Sequence, residues 1–318
     1  ALPISAMFAG NKTANNEKYL RYFWEVSNED VSEKWIHYAK GGSFRKWYGN
    51  NETVIDWSDE SRSFYVENSS SNIINSKYWF KRGLTYTDLT SKAFNCRLLT
   101  DNMLFDMSGP SILFADNNLY YVMGLLNSVV ANEYFKTLNN TFHYKLNDVK
   151  RIPIILDDSK NKSIQMMVIK SIDLSQKDWD SFETSWDFKR HPFINGEPTI
   201  KQAFEKWERE AEERFQTLKA NEEELNRIFI EIYGLQDELT PEVEEKDVTV
   251  RKADLERDVK SFISYAVGCM FGRYSLDEEG LIYAGGEFDA SKYKSFPADE
   301  DNVIPITDED YFDDDIAA

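Results

Sequence analysis

Between residues 109 and 155 the apolar positions change period twice. Ile112, Leu113 and Phe114 form a short continuous apolar run, as in a buried strand. Asp116, Asn117 and Asn118 then supply turn and helix-capping chemistry. From Leu119 onward Val122, Met123, Leu126, Val129, Val130, Tyr134 and Leu138 recur at spacings of three and four, which predicts one amphipathic helix closed by Asn139, Asn140 and Thr141. Pro153 pushes Ile152 away from helical geometry, so residues 148–154 are expected to return as an extended segment. Upstream, 19–26 reads as a strand or a short helix. Leu84, Tyr86 and Leu89, and then 103–107, alternate as strands. Downstream the period becomes helical: over 162–173, over a long stretch at 198–233 that Gly234 ends, and again over 252–274. The pattern predicts a mixed α/β domain at 1–156 and an acidic, mainly helical domain at 157–318.

Charge sharpens that division. The 318 residues carry 37 Lys+Arg and 56 Asp+Glu. Residues 1–156 hold 17 and 16 of these, and 157–318 hold 20 and 40. The net charge of −19 therefore belongs to the second half, and the near-neutral first half can still present a basic face to phosphates. No apolar run reaches the roughly 18 residues of a membrane span, and the N-terminus lacks the pattern of a signal peptide. Cys96 and Cys269, far apart in sequence, fit a reducing cytoplasm better than a disulfide framework or a zinc site. Ala1 stands where an initiator methionine is expected, so we expect a fragment or a processed product.

Three stretches carry candidate chemistry. Gly10, Thr13 and Asn16 form a Gly-x-x-Thr-x-x-Asn segment followed by Arg21. Residues 40–50, Lys-Gly-Gly-Ser-Phe-Arg-Lys-Trp-Tyr-Gly-Asn, interleave cations and aromatic rings beside a glycine turn. That suits phosphates and base edges, although a hairpin with a solvated basic edge would look the same. Lys81 and Arg82 precede Gly83, Thr85 and Tyr86 in a second basic turn. By residue type and position, Arg45, Lys46, Lys81 and Arg82 are the first candidates for DNA contact, with Lys145, Lys150 and Arg151 next.

These runs resemble known proteins. Leu125-Leu126-Asn127-Ser128-x-Val130 followed by Val149-Lys150-Arg151-Ile152-Pro153-Ile154 looks like the DNA target-recognition domain of Type I specificity subunits and fused adenine methyltransferases. Gly10, Thr13 and Asn16 match the segment that opens such domains, with Ala14 where they commonly have Gly. The run at 40–50 resembles a signature of the PglX adenine methyltransferases of BREX phage-defence systems, as does the run at 264–274. The resemblance implies duplex-DNA recognition, partnership with a catalytic domain and other BREX proteins, and S-adenosylmethionine as cofactor of the intact protein. This chain contains neither a Gly-rich cofactor loop nor an Asn-Pro pair. It is therefore expected to lack the catalytic domain and to hold no cofactor, no metal and no catalytic residue.

Rival readings stay open. The acidic half could be a protein-interaction module docking other defence components. Residues 277–318 carry 14 acidic and 2 basic residues, among them Asp308, Glu309, Asp310, Asp313, Asp314 and Asp315, and read as a solvated surface or the site of a basic partner. An independent hydrolase is the weakest alternative, because Ser181, Glu183, Ser185 and His191 match no nucleophile motif. Gly268 and Gly272 are spaced for close helix packing.

Overall fold

The computed structural model describes residues 4–114, 118–139 and 141–299. Among the described residues eight strands form two sheets. Strands β1 (Ile4–Phe8), β5 (Gly83–Tyr86), β6 (Cys96–Leu99) and β8 (Ser111–Phe114) make one antiparallel sheet in the order β1-β8-β5-β6. In the other, β2 (Leu20–Tyr22), β4 (Thr53–Asp56), β3 (Trp35–Ala39) and β7 (Met103–Phe105) lie in that order, with β3 and β7 parallel. Helix α1 (Asn16–Tyr19) leads into β2. Helix α2 (Asp59–Glu67) belongs to the second sheet's core, where Tyr65 packs with Tyr19, Tyr38 and Trp57. The predicted strands at 112–114, 84–86 and 103–105 are present, whereas Leu89 lies in a loop.

The expected helix over 119–138 is two helices, α3 (Leu119–Leu126) and α4 (Val129–Leu138). The break has a use. The Asn127 side chain accepts from the Cys96 amide at 2.9 Å and donates to its carbonyl at 3.0 Å, standing in for a neighbouring strand at the edge of β6. Ser128 then opens α4 by capping the Ala131 amide. Asn118 is the N-cap residue of α3 but makes no side-chain cap bond. Asp116, Asn117 and Asn140 lie outside the described residues, as do 300–318 with their acidic triplets. The extended segment expected at 148–154 begins instead as a short helix, α5 (Leu146–Val149), and the chain straightens only from Pro153.

Three long helices follow: α6 (Asp158–Trp179), α7 (Ile200–Tyr233) and α8 (Leu255–Met270). Thr199 caps the start of α7 and Gly234, left-handed, ends it. Gly272 is not part of helix packing. It lies beyond α8, where its amide and that of Arg273 bond the carbonyls of Cys269 and Gly268 and close the helix.

Charge and secondary structure change near 156, but the core does not stop there. One hydrophobic cluster joins Leu84, Cys96 and Ile112 of the first sheet to Val122 and Leu126 of α3 and to Ile164, Val168, Leu225 and Phe229 of α6 and α7. The halves are also joined by buried charge. Arg45 and Lys46, expected to face DNA, are each only 6% exposed. The Arg45 guanidinium donates to Asp178 of α6 at 3.0 Å and lies over the Trp179 ring. Lys46 pairs with Glu222 of α7, which also accepts the Trp47 indole N–H at 2.7 Å. Buried ions of this kind are tolerated only when paired. The same run that looked like an exposed basic edge is thus a plug into the helical half. A stacked contact reinforces it: His37 on β3 lies 3.9 Å from the Trp186 ring, nearly parallel to it.

Two outcomes are expected. Glu222→Leu should cost about 3–5 kcal/mol in urea unfolding, because it strands Lys46. Adding Lys46→Met should recover all but the roughly 1–3 kcal/mol of the unpaired Trp47 N–H. Burial lowers the His37 pKa to about 4, against the opposing pull of Asp187. The folded chain therefore keeps His37 neutral while the unfolded chain takes up a proton below about pH 6.5. Stability is fully present above that pH and lost as pH falls toward 4. His37→Gln should remove part of that loss, and an NMR titration placing His37 near its ordinary value would contradict the assignment.

Candidate nucleic-acid interface

β1, β3, β5 and β7 run out at one edge. β1 and β5 are both antiparallel to β8 and so point the same way, as do the parallel β3 and β7. The two sheets are stitched together there. The Asn11 amide bonds the Phe105 carbonyl at 2.8 Å, the Met107 amide bonds the Asn11 carbonyl at 3.1 Å, and the Gly41 amide reaches the Ser108 hydroxyl at 3.4 Å. The loops after these four strands converge, and a fifth joins them, since the Thr90 amide bonds the Phe142 carbonyl and the Tyr144 amide the Asp88 carbonyl.

The first loop is built by its motif. A Cβ on Gly10 would sit 2.4 Å from the Asp106 carbonyl oxygen, so only glycine lets the two loops touch. The Thr13 hydroxyl donates to the Asn16 side chain at 2.7 Å, and Asn15 caps α1. Asp106 organises the neighbouring loop: one oxygen accepts from both the amide and the hydroxyl of Ser108, and the other lies 3.1 Å from the Tyr38 hydroxyl. Burial first, and then Asp106, push that tyrosine's pKa well up, so it stays a neutral donor.

Two open grooves cross this edge and share Asp88 and Ser108. One, about 520 Å³, is lined by Lys40, Gly41, Gly42, Ser43, Asn50 and Thr87 among others. The other, about 570 Å³, is lined by Lys12, Ala14, Asn15, Asn16 and Met107 among others. Leu89, Met107 and Phe142 are exposed at the same edge. Side-chain amides can both donate to and accept from base edges, ammonium groups suit phosphates, and exposed apolar tips suit sugars and thymine methyls.

The expected contact residues are dispersed. Lys145 is exposed and follows Tyr144, which bonds the Asp88 loop, so it joins the loop edge. Lys81 and Arg82 are exposed but lie at the other end of β5, where Arg82 donates to the Tyr120 hydroxyl at 2.6 Å. Lys150 and Arg151 are exposed in the turn after α5. Arg45 and Lys46 are in the interior, as described. Sequence reasoning missed Lys12, Lys40, Asn15, Asn50 and Ser108. Gly10, Thr13, Asn16 and the Gly41-Gly42 pair were the available signal, because they mark the loops these residues sit on.

Among the described residues no helix is long and apolar enough to cross a membrane, and no group of three or more His, Cys, Asp or Glu is placed to hold a metal ion. Asp180, beside Ser185 in the connector after α6, has its carboxyl raised to about 6 chiefly by burial, with the Ser185 bond opposing. The His191 ring accepts the Phe193 amide at 3.2 Å. Ser185 and His191 are therefore both held in local structural bonds.

The fold is one also seen in a DNA-acting enzyme. The chain superimposes on a Type IIL restriction-modification enzyme, MmeI, solved in complex with DNA, with a TM-score of 0.50 over 83% of this chain and 36% of that one, at 13% identity. No family model matches the sequence. It is 40% identical, over 96% of its length, to the adenine-specific methyltransferase PglX of Lacticaseibacillus casei (strain Zhang), and 31% identical over its whole length to the adenine-specific methyltransferase BrxX of Escherichia coli O9:H4 (strain HS). These similarities make the chain PglX-like. It spans 27% and 28% of the length of these two relatives.

One residue of the first loop is strained. Ala14, where the resemblance noted in the sequence implies glycine, has φ +65°. A left-handed L-residue costs roughly 1–2 kcal/mol, part of which glycine's freer unfolded chain would offset. Ala14→Gly should therefore stabilise the chain by about 0.5–1 kcal/mol in urea unfolding.

Proposed function

We propose that this chain is the segment of a BREX N6-adenine DNA methyltransferase that recognises a specific duplex sequence and positions the target adenine for a catalytic domain elsewhere in the protein. The observation that carries this reading is the convergence of five loops at one sheet edge, where Asn15, Asn16 and Asn50 stand among Lys12, Lys40 and Lys145 over open grooves. Rigid strands with polar loops at one end are a common platform for binding. In this reading lysines set register on phosphates, and the asparagines, with Ser108, read base edges. The adenine is turned out of the duplex into the catalytic domain, where S-adenosylmethionine supplies the methyl group. Arg45 and Lys46 take no part in contact; they hold the loop edge to the helices.

A second reading has its own observation. Leu255, Ile263 and Val267 on α8 and Phe271 at its C-terminal cap are all exposed. Unpartnered apolar side chains in a row fit a surface covered by another part of the protein or by a further BREX component. Both readings can hold together, one for each half.

Selection from a pool of random duplex DNA tests the first reading. An enriched motif containing adenine is the expected result, and failure to retain DNA even at low salt would overturn it. Lys12→Ala with Lys145→Ala should flatten the dependence of log K on log salt by roughly 0.9 for each phosphate no longer neutralised. Lys81→Ala with Arg82→Ala, at the far end of β5, should leave the slope unchanged. The reverse pattern would move the interface to that end.

A further inference from the structure

Arg97 is an anomaly. It lies on β6, is 1% exposed, and forms no ion pair with any described carboxylate. Its neighbour Arg45 is neutralised by Asp178, but Arg97 is met only by neutral acceptors: the Lys40 and Arg45 carbonyls, the Thr87 hydroxyl and the Asn95 side chain, at 3.1–3.4 Å. Burial lowers its pKa to about 10, so it remains charged at neutral pH. A buried charge without a counter-ion is costly and projects its field onto whatever surface is nearest.

That surface is the groove at the loop edge. Lys40 and Thr87 both line it, so the guanidinium sits one hydrogen bond beneath its floor. Lys40 leads into the Gly41-Gly42-Ser43 turn, and the Thr87 hydroxyl that meets Arg97 also lies 3.5 Å from the Gly42 carbonyl. A Cβ on Gly41 would meet the Ser108 carbonyl oxygen at 2.7 Å, and one on Gly42 the Asn50 side chain at 2.8 Å. The turn therefore presents backbone rather than side chains, and the amides of Gly42 and Ser43 donate to no described group. It is held ready: the Ser43 hydroxyl donates to the Asn50 side-chain oxygen at 3.1 Å, and the Asn50 amide donates back to the Ser43 carbonyl at 2.9 Å. Lys40 forms no ion pair among the described residues. Carboxylates do line the groove: Asp88, which is 3.4 Å from the His143 ring, and Glu52, whose carboxyl is pushed up by burial. They disfavour an anion near them and leave the rim at Gly42 as the place for one.

We infer that the Gly41-Gly42-Ser43 turn, with Lys40 beside it and Arg97 beneath it, seats one backbone phosphate of the bound nucleic acid. The inference rests on the DNA-recognition reading above and adds a defined contact to it. Lys40 and the free amides meet the phosphate oxygens. Arg97 is a positioning residue, which holds the turn through the carbonyls of Lys40 and Arg45 on either side of it and supplies an uncompensated positive charge below it.

The test uses the full chain and a duplex carrying its selected motif. Lys40→Ala, a change outside the core, should flatten the salt slope by about 0.9, the value for a single neutralised phosphate. Arg97→Met should weaken binding about tenfold, whereas Arg97→Lys, which keeps the charge but not the fork, should weaken it by less than about threefold. A purely structural role for Arg97 would make Lys and Met equally poor, with matching decreases in stability in urea unfolding, and would overturn the electrostatic part. Wild-type slope in Lys40→Ala would overturn the seat while leaving DNA recognition intact. Protection of the wild type but not the variants by inorganic phosphate, with DNA binding unchanged in all, would reassign it as a free-anion site. A wild-type chain that binds no DNA would overturn the recognition reading and the seat with it.

Discussion

The structure depends on two buried ion pairs that cross from the sheets to the helices. Asp178 and Glu222 face the core from α6 and α7, and each needs a cation because an isolated carboxylate could not remain charged there. Arg45 and Lys46 supply the cations from consecutive positions of one loop. Around them the arrangement is closed by hydrogen bonds. The Arg251 amide bonds Asp178 at 2.9 Å, the Lys46 amide bonds Thr249 at 3.2 Å, and Trp47 bonds Glu222. Such geometry specifies one docking register. Moving α7 against the sheets by a turn would leave Lys46 and Glu222 unpaired, and moving α6 would strand Arg45 while Asp178 kept Arg251 at 3.6 Å; a hydrophobic contact has no comparable penalty for sliding.

That register matters at the other end of the same loop. Residues 40–50 pass the rim at Gly42 and Ser43, dip into the interior over 45–49 and return to the groove at Asn50, so the plug fixes the turn from below. Arg97 fixes it again by binding the Lys40 and Arg45 carbonyls. The edge that carries the grooves is therefore anchored to both sheets and to the helical half. In the proposed DNA-reading role such pre-organisation favours binding, because little side-chain or loop entropy is given up. The acidic helices serve the same end indirectly. The net charge of the second half is −20, which disfavours DNA there and leaves the near-neutral half as the surface a polyanion can approach.

Much of the fold was legible in the chain. The long period of three and four over 200–233 gave α7, and Gly234 marked its end, because those signals are local and strong. The strands at 84–86, 103–105 and 111–114 were visible for the same reason. The break at Asn127-Ser128 was not. The apolar stripe runs through it without a change of period, and the reason for the break, the buried outer edge of β6 at Cys96, is about thirty residues away in sequence. The short helix α5 was likewise hidden by Pro153, whose influence reaches only the residue before it.

For the candidate site the division is sharper. By itself the sequence determined the resemblance to PglX, the change of charge near 156 and, through the motif residues Gly10, Thr13, Asn16 and Gly41-Gly42, the loops on which the candidate site lies. Only the tertiary structure decided which cations on those loops face water. Arg45, Lys46 and Lys40 are the same kind of residue in one short run, and nothing local separates them. Two are drawn inward because Asp178 and Glu222, more than 130 residues away, need partners in the core, and Lys40 is left at the rim because no described carboxylate claims it. Burial of charge is set by where its counter-charge lies, and that is a property of the fold and not of the run.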